Sequence, residues 1–227
     1  MAPTFPAIVR SLAKAHAPLP KPVSKDPFHL ILLEQVAYLA PYPKRLAAFR
    51  RLKSEIGLTP ANILTAPIAT LRDIAKSGGA IAFNERADRM RESARIVRDA
   101  WDGDLQRALA LPLPKARKAL GAFRMIGAPG ADRILALCGA YPVVGLDSNA
   151  LRVMQRLGFG TTSSNYNADL RSVMAAIGDD LPTSPASAAE AAAVLRVHGE
   201  SVCKRTTPHC AACVLSAHCP SRVPPTR

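Results

Sequence analysis

Near its C-terminus the chain carries Cys203-x6-Cys210-x2-Cys213-x5-Cys219 in the segment CKRTTPHCAACVLSAHC, four thiols within seventeen residues. No other feature constrains the fold as tightly. Sulfurs this close in sequence can close around one compact inorganic core, and a stretch that does so must be docked on structure built elsewhere. Four-cysteine ligation is what iron–sulfur clusters use, so a cubane [4Fe–4S] cluster is the first reading. Zinc is the competitor, but its four-cysteine sites usually pair two CxxC knuckles across a longer loop. This segment has the single knuckle Cys210–Cys213. Disulfides fit less well, since nothing marks the chain as secreted. His209 and His218 lie inside the loops and read as surface or supporting residues. The remaining cysteine, Cys138, falls in an apolar helical face and reads as a core thiol.

At 227 residues with 48% apolar content, the chain suits one domain or two small ones with a real core. Lys and Arg number 30 against 17 acids, a formal charge of +13, which points to a polyanionic partner. A membrane surface would attract the same charge, but the motifs described below favour nucleic acid. No apolar run reaches the roughly 18 residues that a membrane helix needs, and no signal peptide opens the chain. A soluble intracellular protein, of the cytoplasm or nucleoid, is therefore expected, and a monomer is the expected state. Residues 1–25 contain no acid and carry Arg10, Lys14, Lys21 and Lys25, with a helical patch at 7–16. A basic arm is simpler than a transit peptide.

Cap-and-proline pairs punctuate the chain beyond residue 25. Asp26-Pro27 opens a helix whose apolar face, Phe28 to Leu39, is expected to run to Pro41. Lys44 to Ile56 is a basic helix closed by Gly57, Thr59-Pro60 starts a short one, and Pro67 starts another reaching Gly78-Gly79. Ala87, Met90, Ala94, Val97 and Trp101 form a stripe on a long helix of about 84–101, whose arginines at 86, 89, 91, 95 and 98 read mostly as a solvated face. Residues 112–123 form a further helix, and 184–193 are helical in composition. Tyr141 to Val144 is the only strand-like run. The fold class is all-α.

Between Ala119 and Leu137 the sequence runs ALGAFRMIGAPGADRILAL, a helix, a tight glycine-containing turn and a second apolar face. In such a helix-hairpin-helix, glycine lets the backbone approach a phosphate and the N–H groups at the second helix's start point at the anion. Such contacts position DNA without reading its bases. Asp147 comes next in PVVGLDSNALRV, where it would cap the adjoining helix.

The six-two-five cysteine spacing after Leu195-Arg196-Val197-His198-Gly199, the hairpin and the Asp147 segment together resemble the endonuclease III family of DNA glycosylases, with interruptions, from about Phe28 to Cys219. The resemblance implies a two-lobed, all-α helix-hairpin-helix glycosylase fold with a C-terminal iron–sulfur loop. Residues 1–27 would be an arm packing with the cluster domain, 28–140 a helical barrel-like domain ending in the hairpin, and 141–227 the cluster domain, with Asp147 in the cleft between lobes. Asp147 is then the catalytic carboxylate, stabilising an oxocarbenium-like sugar and taking a proton from attacking water. Cys203, Cys210, Cys213 and Cys219 would hold the cluster. Gln35 is the candidate wedge that fills the gap left by a flipped base, with Tyr38 stacking nearby. Gly127, Gly130, Ala131 and Arg152, with Lys204 and Arg205 in the cluster loop, would complete the DNA contacts.

Two departures matter. Bifunctional members of that family carry a hairpin lysine eighteen residues before the aspartate, where this chain has Pro129, which offers no amine. Met125 stands where the family has the first hairpin glycine, although Gly127 and Gly130 remain. The implied activity is a monofunctional glycosylase acting on damaged or mismatched bases. The alternatives are a lesion-binding protein on the same scaffold, or a glycosylase/lyase using Lys115 or Lys118 of the preceding helix.

Overall fold

The computed structural model describes residues 3–223, and every regular element among them is helical. The α-helices are α1 (Phe5–Ala15), α2 (Pro27–Gln35), α3 (Tyr42–Glu55), α4 (Pro60–Thr65), α5 (Ile68–Ser77), α6 (Phe83–Trp101), α7 (Leu113–Gly121), α8 (Ala128–Leu137), α9 (Ser148–Arg156), α10 (Tyr166–Ile177) and α11 (Pro185–Ser201), joined in places by single 3-10 turns. Their starts obey local chemistry. The Asp26 carboxylate accepts from the N–H groups of Phe28 and His29, Thr59 from that of Asn62 and Ser184 from that of Ser187, each with proline in the helix's first turn. Such caps contribute ~1 kcal/mol apiece. No helix among the described residues is long and apolar enough to cross a membrane.

The chain divides into two compact units. One is Pro22–Ile134. There α6 is the central element, with α2, α4 and α5 packed on it. Ala87, Met90, Ala94 and Val97 recur along its inner face and are fully buried. Burying a leucine- or methionine-sized side chain contributes about 1.5–3 kcal/mol. Arg86 also faces inward and is 1% exposed, the one buried member of an arginine run whose others are partly or fully exposed.

The helix expected to reach Pro41 ends at Gln35. The Val36 carbonyl, which a continuing helix would give to residue 40, accepts instead from Arg86 Nη1 at 2.6 Å. The chain then turns outward through Leu39, whose φ is +50°. Leu39 thus stands on the surface rather than in an apolar helical face, and Tyr38 is exposed beside it.

The other unit comprises the chain up to Lys21 together with Leu135 onward. In it α1 and α9 pack on α11, and α10 packs on α9, around Phe5, Ile8, Leu12, Leu151, Met154 and Leu195. α10, which none of the cap-and-proline signals marks, is capped by the Asn165 side chain. Tyr141–Val144 is no strand; it is an irregular stretch whose Val144, with Leu146, is anchored in the core. Cys138 is half-buried rather than a deep core thiol.

Candidate active site and cysteine centre

Asp147 ends the irregular stretch and caps α9. Its Oδ1 accepts from the N–H groups of Asn149 at 2.9 Å and Ala150 at 3.0 Å, while Oδ2 lies 3.4 Å from Arg196 Nε on α11. The side chain is 27% exposed. Arg196 Nε also donates to Glu200 Oε1 at 2.9 Å, so its charge is shared between two carboxylates. Beside them the Tyr166 hydroxyl donates to the Leu146 carbonyl at 2.9 Å. Burial, then the charge of Asp147, pushes the Tyr166 pKa up to about 12. The helices meet here because of Gly199, where a Cβ would lie 2.6 Å from the Asn149 carbonyl oxygen. Any side chain at 199 would displace the first turn of α9.

The opposite end of α9 holds the cysteine loop. Arg152 donates from Nε to the Cys203 carbonyl at 3.0 Å, and from Nη2 to the Gly199 carbonyl at 2.7 Å and to Asn149 Oδ1 at 2.9 Å. Arg156 donates to the carbonyls of Lys204 at 2.7 Å and Arg205 at 2.9 Å, and its Nη1 lies 3.4 Å from Cys203 Sγ. Arg152, expected on DNA from the sequence, is therefore an internal brace, its guanidinium committed to the protein. Lys204 and Arg205 keep exposed side chains on a backbone fixed by Arg156.

Cys203, Cys210, Cys213 and Cys219 line one cavity with Arg156 and His209. Burial foremost pushes the thiols of Cys213 and Cys219 up, a state that binding to a cationic centre reverses. Among the described residues no three His, Cys, Asp or Glu side chains form a group that would hold a single metal ion. Four cysteines lining one cavity, with the Arg156 guanidinium against Cys203, offer the thiolate donors that an iron–sulfur cluster would use. His209 and His218 are exposed. The histidine that reaches the sulfurs is His198, 2% exposed, with Nε2 3.5 Å from Cys213 Sγ and Nδ1 3.0 Å from His16 Nε2. Burial, then His16, lowers its pKa to about 4, so the ring is neutral near pH 7.

In the 22–134 unit the hairpin turn joins α7 to α8. Met125 there has φ +75°, the left-handed region that glycine enters freely and other residues enter at about 1–2 kcal/mol. The backbone of a glycine turn is thus kept without its glycine. Neither Gly127 nor Gly130 has positive φ, and a Cβ at either would meet only ordinary contacts. Pro129 occupies the first turn of α8, where a missing N–H leaves no helical bond unmade. Ala131 is 1% exposed and its N–H donates to the Gly127 carbonyl at 2.9 Å, so it offers nothing to a partner. Gln35 is likewise internal: 1% exposed, with Nε2 donating to Ser93 Oγ at 2.8 Å and to the Arg124 carbonyl at 3.1 Å. The sequence expectation of Gln35 as a wedge is corrected by that placement, for its amide is spent in holding the hairpin turn. Tyr38 is exposed.

Sequence reasoning missed Arg86, Arg156, Arg196 and His198. The last two stood in the segment before Cys203, and the Arg196–Glu200 spacing was a usable sign of an ordered arginine.

No family model matches the chain. Endonuclease III of Sulfolobus acidocaldarius is 28% identical over 177 residues, 77% of this chain and 73% of that protein. Among solved structures, a trapped endonuclease III–DNA covalent intermediate superposes with a TM-score of 0.73 at 20% identity, over 96% of this chain and 97% of that one. A thermostable thymine-DNA glycosylase superposes with a TM-score of 0.75 at 19% identity, over 96% of both chains.

Proposed function

We propose that this chain, which belongs to the endonuclease III-like superfamily of helix-hairpin-helix proteins, is a DNA glycosylase of base excision repair. It hydrolyses the N-glycosidic bond of a damaged or mismatched base that has left the stack. The observation that carries the reading is the asymmetry of Asp147: one oxygen fixed by two backbone N–H groups, the other outside that cap. As the carbon–nitrogen bond breaks, its electron pair leaves with the base and positive charge grows on the sugar. Oδ2 of Asp147 stabilises that charge, then takes the proton of the water whose oxygen bonds the anomeric carbon. Arg196 balances the carboxylate until the sugar cation forms, its own charge tempered by Glu200.

Water, rather than an amine, is the nucleophile. Pro129 has none to offer, Asp132 is held by Arg117 at 2.6 Å, and Lys115 and Lys118 are exposed on α7. The DNA-facing set comprises Tyr38, the Gly127 and Gly130 backbone, Lys204 and Arg205, on a monomeric protein of the cytoplasm or nucleoid. Gln35 holds the hairpin turn through the Arg124 carbonyl, and Arg152 holds the cysteine loop through the Cys203 carbonyl. The charge of +13 requires that duplex affinity fall steeply with salt.

Cys203, Cys210, Cys213 and Cys219 would hold a [4Fe–4S] cluster, which supplies a rigid anchor for the loop and no step of the hydrolysis; analysis for iron, sulfide and zinc decides between it and zinc. The second reading, a lesion-binding protein that does not cut, is favoured by the Arg196 contact on Oδ2. A panel of duplexes bearing uracil, oxidised pyrimidines, alkylated bases, 8-oxoguanine mispairs and abasic sites separates the two. Release of a base from at least one duplex is expected, and binding without release from any would replace the enzyme by the binder. Asp147→Asn, which preserves the cap because Asn serves as well there, should lower excision by ~10³-fold while duplex affinity stays. Borohydride trapping on abasic DNA should give no adduct.

A further inference from the structure

Arg196 stands beside the carboxylate that the proposed hydrolysis uses, where a cation is out of place. Its Nε lies 3.4 Å from Asp147 Oδ2, and the two side chains are only 26% and 27% exposed, so salt screens the pair weakly. Breaking a glycosidic bond builds positive charge on the sugar. A guanidinium paired with the same oxygen would occupy it and repel that charge.

Glu200 opposes the pairing. Arginine Nε carries one hydrogen, and Arg196 donates it to Glu200 Oε1 at 2.9 Å, which leaves the longer contact with Asp147 an ion pair without that hydrogen. Local helix energetics do not favour an acid at 200. The residue lies in the last turn of α11, where the helix dipole disfavours negative charge. Arginine followed four residues later by glutamate is also the weaker order for such a pair, and with Glu200 41% exposed the pair does little for stability. Gly199 completes the arrangement. Its missing Cβ lets α11 approach the Asn149 carbonyl, so that Arg196 reaches Asp147 while Glu200, about one helical turn on, reaches Arg196.

Resting on the glycosylase reading, we propose that Glu200 is a positioning residue for the reaction: by holding Arg196 it keeps Oδ2 of Asp147 free for the sugar cation, and without it the guanidinium closes on that oxygen and shuts the site. Glu200 touches neither the sugar nor the water and acts through Arg196 alone.

The test uses the full-length protein, double-stranded DNA and two readouts. One is the affinity for a duplex bearing a pyrrolidine abasic analogue, whose ring nitrogen is protonated, relative to the same duplex with a neutral tetrahydrofuran analogue. That ratio reads the charge offered to a sugar cation, and no bond is cut. The other is the single-turnover rate on a panel duplex from which the parent releases a base. The parent should prefer the cationic analogue. Glu200→Ala, which places a good helix former at an exposed position, should lower the preference and the rate about tenfold each, less than the roughly 10²- to 10³-fold lost with a group that touches the transition state. Adding Arg196→Gln removes the cation that Glu200 restrained and should bring both readouts back to within about twofold of the parent, a rescue that independent structural damage would not give.

A parent without the cationic preference, a Glu200→Ala variant that keeps that preference or keeps a measurable rate of release at the parent's value, or a double variant no better than Glu200→Ala would each overturn the proposal. If Glu200→Ala does not fold, Glu200→Gln, which keeps the length and loses the charge, is held to the same outcomes. A protein that releases no base from any duplex, yet loses and regains the cationic preference as stated, sinks the glycosylase and keeps the restraint on Arg196. One that releases a base while Glu200→Ala alters neither readout keeps the glycosylase and sinks the restraint.

Discussion

The two units hold their working loops by the same device, an arginine donating to backbone carbonyls, and differ in what else the device depends on. In the 22–134 unit, Arg86 is wholly enclosed, and its hold on the loops at 36–41 and 78–82 needs nothing beyond the chain itself. In the other unit, Arg152 and Arg156 reach from α9 to the carbonyls of Cys203, Lys204 and Arg205 across a half-exposed surface. On the proposed function, the loop they hold folds around an inorganic core that can be removed. Carbonyl recognition by arginine thus sets loop position in both places, while resistance to disturbance comes from burial in one and, on the proposed function, would come from ligation in the other.

The sharpest way to break that contrast is to take the core away. Oxidative removal of the cluster, or Cys203→Ser, should raise amide exchange in α9 and residues 202–222 by about a hundredfold, or ~2.7 kcal/mol of local stability, and leave residues 36–41 and 78–82 unchanged. Equal loosening of both units would show that the anchoring is shared. Gly199→Ala comes next, because its Cβ must displace the Asn149 carbonyl. A loss of about 2 kcal/mol in denaturant unfolding is expected, with excision falling further than the remaining folded fraction explains, since Asp147 moves with α9. The smallest effect concerns the hairpin. Met125→Gly relieves a left-handed methionine but frees the unfolded chain, and the balance should be a gain of ~0.5 kcal/mol in denaturant unfolding. A loss there would mean that the methionine side chain makes stabilising contacts of its own.

These features were unequally legible in the sequence. Helix starts could be read because Asp26-Pro27, Thr59-Pro60 and Ser184-Pro185 act on their own neighbours within a turn, and the stripe from Ala87 to Val97 could be read because burial imposes the helical period. Asp147 was legible as a cap for the same local reason. The end of α2 was not, since Val36, Ala37 and Leu39 read as a continuing face, and only the contacts of Val36 with Arg86 and Gly78 turn the chain outward. Arg86 and Arg152 were misread because a long cation belongs on the surface by default, and their targets are main-chain oxygens that no residue type announces. Gln35 was misread for a related reason: its partners, Ser93 and the Arg124 carbonyl, are far away in sequence.

The cap made by Asp147 reaches beyond α9. A carboxylate pinned through one oxygen cannot rotate about its terminal bond, so on the proposed function the other oxygen would meet the sugar in a single orientation and need no search for it. The same pin closes position 147 even to glutamate: one more methylene would preserve the charge but carry both oxygens past Asn149 and Ala150, fraying the helix and misaiming the acid in one stroke.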